Sequence, residues 1–260
     1  MIKCYVINLK RRKDRFRKIS SHLNSLGIKF TRFEAVDAQT TPLSILMKNM
    51  TKFGPLGELG KGDRACFQSH YKLWEKISVS DTLPVLILED DVRLTKPGIK
   101  LLKNFSWIPK DINIIKCERF GNNRHRILVK PIKKIDEFYS ISLLLSKHSG
   151  TGGYIITPKG AKLLINQKKK VSVSVDHYLF NPNNSYIFNQ LKPLQLIPVI
   201  CQQMDSYSDI HPLRYNFSFF SINDLLREVI RGFYEIRLLP KQLFQLVFTN
   251  AKVIKPKILD

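Results

Sequence analysis

The chain has 260 residues, 43% hydrophobic and 25% charged, which is enough apolar material to bury a sizeable core and rules out a compositionally disordered chain. At roughly 100 to 200 residues per domain, that length fits one large domain with an appendage better than two full domains. Forty-three Lys and Arg against 21 Asp and Glu leave a formal charge of +22, which calls for an anionic partner or surface.

In chain order, Cys4 to Leu9 reads as a short buried strand. Only Met1-Ile2-Lys3 precedes it, without the basic, apolar and small-residue regions of a signal peptide, so the protein is expected in the cytoplasm. After the basic stretch Lys10 to Lys18, Phe16, Ile19, Leu23 and Leu26 recur at helical spacing, and Gly27 stops that helix. Strands are predicted at Lys29 to Val36 and Pro84 to Leu88. Between them, Ala65, Phe67, Leu73, Trp74 and Ile77 mark a partly buried helix. Further strands are predicted at Asp111 to Cys117, Tyr139 to Leu145 and Tyr154 to Ile156. Thr157 and Pro158 then form the N-cap and first position of a helix ending near Ile165. Beyond Pro212 come two helical patterns separated by Pro240. Alternating strands and helices predict the α/β class, with a mostly parallel sheet flanked by helices. Residues 1–212 are read as the main domain and 213–260 as a basic amphipathic helical segment. No apolar run approaches the roughly 18 to 20 residues of a membrane-spanning helix. Cys4, Cys66, Cys117 and Cys201 lie far apart with no C-x-x-C, which excludes a zinc ribbon and a disulfide scaffold.

The most informative signal is Leu86-Ile87-Leu88-Glu89-Asp90-Asp91, an apolar strand ending in three acids. Open α/β sheets bind ligands beyond the carboxyl ends of their strands, so charge is concentrated at the expected binding edge. Adjacent acids repel, and a hard divalent cation, Mn²⁺ or Mg²⁺, relieves the repulsion and can bridge phosphate oxygens. Strand alternation would set Glu89 and Asp91 on one side and Asp90 on the other. Asp91 is assigned to the metal, Glu89 and Asp90 to donor contacts; a solvated acidic turn or a helix N-cap is the competing reading.

Tyr5-Val6-Ile7-Asn8-Leu9 with Arg12 and Arg15, Glu34-Ala35-Val36-Asp37-Ala38, Ala65-Cys66-Phe67-Gln68-Ser69-His70 with Trp74, and Leu88-Glu89-Asp90-Asp91-Val92 follow one another in the order seen in glycosyltransferase family 25. Gly150-Thr151-Gly152-Gly153-Tyr154 and Ser208-Asp209-Ile210 extend the likeness to roughly residues 3 to 210. The chain resembles the lipooligosaccharide galactosyltransferases of that family. The resemblance implies a GT-A-like fold, a UDP-sugar donor, a divalent metal and a lipid-linked oligosaccharide acceptor. One departure is the long lead Gly57 to Cys66 into the Ser-His pair, where the family has a shorter one, and Glu58 is therefore left unassigned.

Other residues acquire roles within that reading. Asn8, Arg12 and Arg15 can contact nucleotide and phosphates, although a basic stretch is also what a solvated helix face looks like. Val36 and Asp37 can hold base or ribose, with a local turn aspartate as the rival for Asp37. Asp176 stands where an inverting enzyme of this kind needs a general base, and it equally suits the N-terminus of a short helix. Gly152 and Gly153 would admit an acceptor sugar against the backbone, with Tyr154 as a stacking platform, unless they form an ordinary turn into a strand. His70 shares a helical face with Cys66 and Trp74 and reads more readily as a satisfied core residue than as a ligand. His211 is a lesser candidate ligand for metal or phosphate.

Three function classes stand against one another. The first is a metal-dependent transferase moving galactose, or in a variant reading glucose, from a UDP-sugar to lipooligosaccharide. The second is a nucleic-acid or polyanion binder, which the charge suggests but no recognisable motif supports. The third is a lectin-like scaffold with a silent acid cluster. In the first reading, Ser221 to Asp224 begins a helix lined by Leu225, Leu226, Val229, Ile230 and Phe233. A second apolar cluster, Leu243, Phe244, Leu246, Val247 and Phe248, is flanked by Lys241, Lys252, Lys255 and Lys257. Together they would dock the enzyme peripherally on the anionic inner face of the cytoplasmic membrane, with packing on the main domain as the competing role.

Overall fold

The computed structural model describes residues 1–55, 57–120, 125–204, 229–230, 232–234 and 236–259. The Ser208-Asp209-Ile210 stretch, His211, the boundary at 212, Ser221 to Asp224 and Leu225 and Leu226 lie outside the described residues.

Strand β1 (Lys3–Asn8) sends Cys4 and Val6 to one side of the sheet and Tyr5 and Ile7 to the other, so its unbroken apolar run serves two cores. On the first side lies α1 (Lys13–Ser25), which buries Ile19 and Leu23 against Cys4 and Val6. Gly27, at φ +68°, reverses the chain after α1 in a conformation that a side chain would oppose. On the second side lies the long α3 (Lys61–Ser80), whose Phe67, Leu73, Trp74 and Ile77 pack on Tyr5 and Ile7. Between them run β2 (Thr31–Glu34), α2 (Leu43–Leu46) and a small hairpin of β3 (Phe53–Gly54) and β4 (Gly57–Glu58).

After α3 come β5 (Val85–Glu89), β6 (Val92–Leu94), α4 (Ile99–Lys103), β7 (Ile114–Lys116), β8 (Glu118–Arg119), β9 (Ile127–Lys134), β10 (Ser140–Leu144) and β11 (Gly153–Ile156). Next are α5 (Pro158–Ile165), α6 (Val175–Phe180), α7 (Phe188–Leu191), β12 (Leu194–Ile197), β13 (Cys201–Gln203), α8 (Leu239–Phe248) and β14 (Lys252–Ile254). Helix α5 starts as expected: Pro158 occupies the first turn and Thr157 Oγ1 accepts a hydrogen bond from the Gly160 amide at 3.0 Å.

The main sheet has the order β14-β9-β10-β12-β7-β11-β5-β1-β2. The β5-β1-β2 end is parallel, as the alternation of strands and helices there requires, and β12 runs parallel to β7. The remaining ladders are antiparallel, so the sheet is mixed. Helices cover both faces, which is the α/β arrangement. A three-stranded sheet, β6-β13-β8, stands beyond the end of β5. The C-terminal segment read as wholly helical ends instead in β14, which pairs with β9 and completes the main sheet. Among the described residues no helix is long and apolar enough to cross a membrane.

Candidate active site

Strand β5 aims its last residue by parity. Val85 and Ile87 point into the core under α3, so Glu89 points the same way and meets His70 of α3, whose Nε2 lies 3.3 Å from Glu89 Oε1. The strand stops there. Asp90 and Asp91 form the turn into β6, the two-residue alternation is broken, and all three acids line one cleft. This corrects the expectation that Asp90 would face away: alternation holds only while the backbone stays extended.

Asp90 accepts hydrogen bonds from Asn8 Nδ2 at 2.6 Å and from Arg15 Nη1 at 3.1 Å. Asn8 is buried, and its own oxygen accepts from Arg32 Nε at 3.0 Å. It therefore holds Asp90 from behind rather than lining the cleft. Asp91 Oδ2 accepts from Gln203 Nε2 at 3.0 Å and lies 3.7 Å from Arg15. Its Oδ1 is buried and has no hydrogen-bond partner among the described residues. Burial, then Glu89 and Asp90, push the Asp91 carboxyl up to about 7, against the pull of Gln203 and Arg15. A buried, hard oxygen donor left open amid like charges is what a divalent cation satisfies. The donor set thus fits Mn²⁺ or Mg²⁺ on Asp91.

The cleft has about 770 Å³ of empty space, part of it open to solvent. Its wall also holds Arg11, Arg15, Val36 and Asp37. The Val36 amide donates to Ser69 Oγ at 2.8 Å, which ties the end of β2 to α3. Asp37 accepts from Arg11 Nε at 2.8 Å and from the Gln39 amide at 3.0 Å, so it is both a turn aspartate and part of the wall. Arg12 does not line the cleft; its guanidinium grips Asp14 at 2.8 and 3.0 Å. The loop before α1 turns Arg11 inward instead, which a basic run in sequence cannot reveal.

The three expected acceptor contacts are corrected. Tyr154 is fully buried, its hydroxyl 2.7 Å from His70 Nδ1 and 2.9 Å from Trp74 Nε1, and it offers no ring face to a sugar. A side chain at Gly153 would collide with Cys201 Sγ, and one at Gly152 with Glu118. These glycines let β11 and its lead-in pass close to β8 and β13, a packing need rather than a sugar surface.

Asp176 lies in the first turn of α6. Its Oδ1 accepts from Ser174 Oγ at 2.5 Å and its Oδ2 from the Gly150 amide at 3.3 Å. Burial alone would raise its pKa, but His177, Ser174 and Gly150 outweigh it and hold the carboxyl at about 2. Its charge is felt at Cys66, on the cleft wall.

Several site residues carried no usable sequence signal. Thr151 Oγ1 donates to Glu89 Oε1 at 2.6 Å. Beneath it Lys116 and Glu118, both fully buried, pair at 2.6 Å, and Lys116 also donates to the Gly150 carbonyl and sits over the Phe180 ring. Burial pushes Glu118 up to about 7 despite Lys116. Only the i, i+2 spacing of a Lys and a Glu around Cys117 hints at this pair.

Residues 1–179, from β1 through most of α6, match the model of glycosyltransferase family 25 (LPS biosynthesis protein). A putative glycosyltransferase of Haemophilus influenzae is 30% identical over 207 residues, covering 76% of this chain and 69% of the relative. Lipooligosaccharide biosynthesis protein lic2B of the same species is 30% identical over 211 residues, 76% of this chain and 75% of that protein. Lacto-N-neotetraose biosynthesis glycosyltransferase LgtE of Neisseria meningitidis is 28% identical over 217 residues, covering 78% and 75%. The matched region holds Glu89, Asp90, Asp91 and Asp176 together with Arg11 and Arg15, and by that match the chain belongs to glycosyltransferase family 25.

Proposed function

We propose that this glycosyltransferase moves galactose from UDP-galactose to a terminal sugar of lipooligosaccharide, inverting the anomeric centre and using Mn²⁺ or Mg²⁺. The observation that carries the reading is the buried Asp91 at the end of β5, with one oxygen open, two further acids beside it and Arg15 across from it. The acceptor class rests on the relatives, whose names place them in lipooligosaccharide and lacto-N-neotetraose synthesis.

Asp91 would hold the metal, which when bound supplies Lewis-acid stabilisation to the departing diphosphate. Arg11 and Arg15 bring guanidinium groups to the same phosphates, and Val36 and Asp37 bound the space for ribose and base. Asp90 keeps Arg15 in place through their 3.1 Å contact. Asp176 is the proposed base. It is ionised at any working pH, and an acceptor seated over it removes remaining water and so raises its affinity for the hydroxyl proton.

The acceptor is lipid-linked, and α8 is suited to meet its membrane. Leu243, Phe244, Val247 and Phe248 of that helix are 57 to 71% exposed, and Lys241, Lys252, Lys255 and Lys257 flank them. Peripheral binding to an anionic inner leaflet is part of this proposal. Hydrolysis of UDP-galactose, UDP-glucose and UDP-N-acetyl sugars by the purified protein, with and without Mn²⁺, tests it. UDP-galactose should be preferred and the metal required; metal-independent turnover, or preference for another sugar, would reject the corresponding part.

A further inference from the structure

We propose that Trp74, Tyr154 and His70 form a one-way hydrogen-bond chain that aims Glu89 at a hydroxyl of the donor hexose, making Glu89 the group that reads the sugar and His70 its positioning residue. The inference rests on the UDP-sugar reading above and deepens it.

The direction of the chain follows from its first member. An indole N–H can only donate, and Trp74 Nε1 lies 2.9 Å from the Tyr154 hydroxyl oxygen. That hydroxyl has a single hydrogen, and its other partner is His70 Nδ1 at 2.7 Å. All three side chains are fully buried. If Nδ1 carried a hydrogen, the Tyr154 O–H would have no acceptor among the described residues, at a cost of about 1–3 kcal/mol. The satisfied arrangement runs Trp74 to Tyr154 to His70 Nδ1 and leaves the ring hydrogen on Nε2, which faces Glu89 Oε1 at 3.3 Å.

Glu89 is thereby held from one side. Its Oε1 accepts from His70 and from Thr151 Oγ1 at 2.6 Å, while its Oε2 accepts from no described residue. The side chain is 22% exposed and lines the cleft. Two residues on is Asp91, the place of the metal and diphosphate, and the hexose is attached directly to that diphosphate. A carboxylate fixed by two donors and open at one oxygen suits a hydroxyl in a single orientation, which is what separates hexose epimers. The sulfur of Cys66, a ring nitrogen of His70 and a Glu89 oxygen also lie within 4.8 Å of one another, a set that could attract a thiophilic cation such as Zn²⁺. Such a cation needs the Nε2 lone pair, where the chain places a hydrogen.

The test uses the full-length protein with His70→Leu, His70→Gln and Tyr154→Phe. Side-chain ¹⁵N spectra of the wild type should show His70 protonated at Nε2 and bare at Nδ1. His70→Leu should reduce the preference in kcat/KM between UDP-galactose and UDP-glucose by about tenfold or more, with UDP affinity unchanged. His70→Gln, which returns an N–H near the Nε2 position, should restore most of that preference, and Tyr154→Phe should lower it. A hydrogen on Nδ1 would overturn the proposal. So would a His70→Leu effect equal for both donors, or stoichiometric Zn²⁺ binding that Cys66→Ser abolishes. A wild type that hydrolyses no UDP-sugar would instead reject the donor reading, while the ¹⁵N spectrum still decides the chain.

Discussion

Asp91→Asn should stabilise the metal-free protein and disable the enzyme at once. Asp91 is 8% exposed, and burial with Glu89 and Asp90 carries its pKa from 3.8 to about 7. An acid whose folded pKa lies above its unfolded value binds more protons when folded. The contribution of Asp91 to metal-free stability is therefore greatest at low pH and falls as pH rises from about 4 to 7. At about 1.4 kcal/mol per pH unit, holding the ionised carboxylate above pH 7 costs roughly 2–4 kcal/mol, part of it shared with Glu89. Asparagine keeps an oxygen for Gln203 and removes the charge. Without metal at pH 8 the variant should thus melt above wild type, by about 2–4 °C for each kcal/mol recovered, and the gap should narrow at pH 5. Saturating Mn²⁺ should close most of the gap or reverse it: at a hundred times Kd it adds about 2.7 kcal/mol to wild type and little to the variant. Differential scanning calorimetry at both pH values, with and without Mn²⁺, reads all four states. An asparagine variant that melts below wild type at pH 8 without metal, or that gains as much from Mn²⁺, refutes the reasoning.

Lys116→Met leaves Glu118 buried without its cation and should destabilise by about 3–5 kcal/mol in urea unfolding, with Glu118→Gln added in the double variant restoring much of the loss; equal stability of Lys116→Met and wild type would contradict it. Asp176→Asn should abolish transfer to acceptor while calorimetric UDP-sugar binding persists; lost donor binding with surviving transfer would move Asp176 to the donor site. Phe244→Ser with Phe248→Ser, at 59 and 71% exposure, should leave the melting temperature and donor hydrolysis unchanged yet release the protein from anionic vesicles in flotation, and retained binding would place the membrane contact elsewhere.

What the sequence revealed was what local chemistry decides. Thr157-Pro158 marked the start of α5 because cap and first-turn proline act within four residues. The acids at the end of β5 stood out because three like charges ending an apolar strand repel one another and call for compensating partners. Features that depend on how the chain turns or packs were hidden. Asp90 joined its neighbours only because the strand ends at Glu89, and Arg11 replaced Arg12 because of one loop. Tyr154 looked like a surface platform until α3 covered it with Trp74 and His70. Strands β9 and β14 were unreadable for another reason: Ile127–Lys134 carries three lysines and a proline, and its partner Lys252–Ile254 lies far along the chain.

The pairing of β14 with β9 also turns the sheet into a ruler. Six strand-to-strand steps separate β14 from β5 in the sheet, which at about 4.8 Å each is roughly 29 Å. Helix α8 ends four residues before β14, so it is tethered at the far edge from the acids. With α8 resting on lipid as proposed, the cleft would stand clear of the headgroups by up to about that distance. At the full distance an acceptor would have to be tall enough to reach it, so a bare lipid-linked monosaccharide would fall short where a chain of several sugars would not.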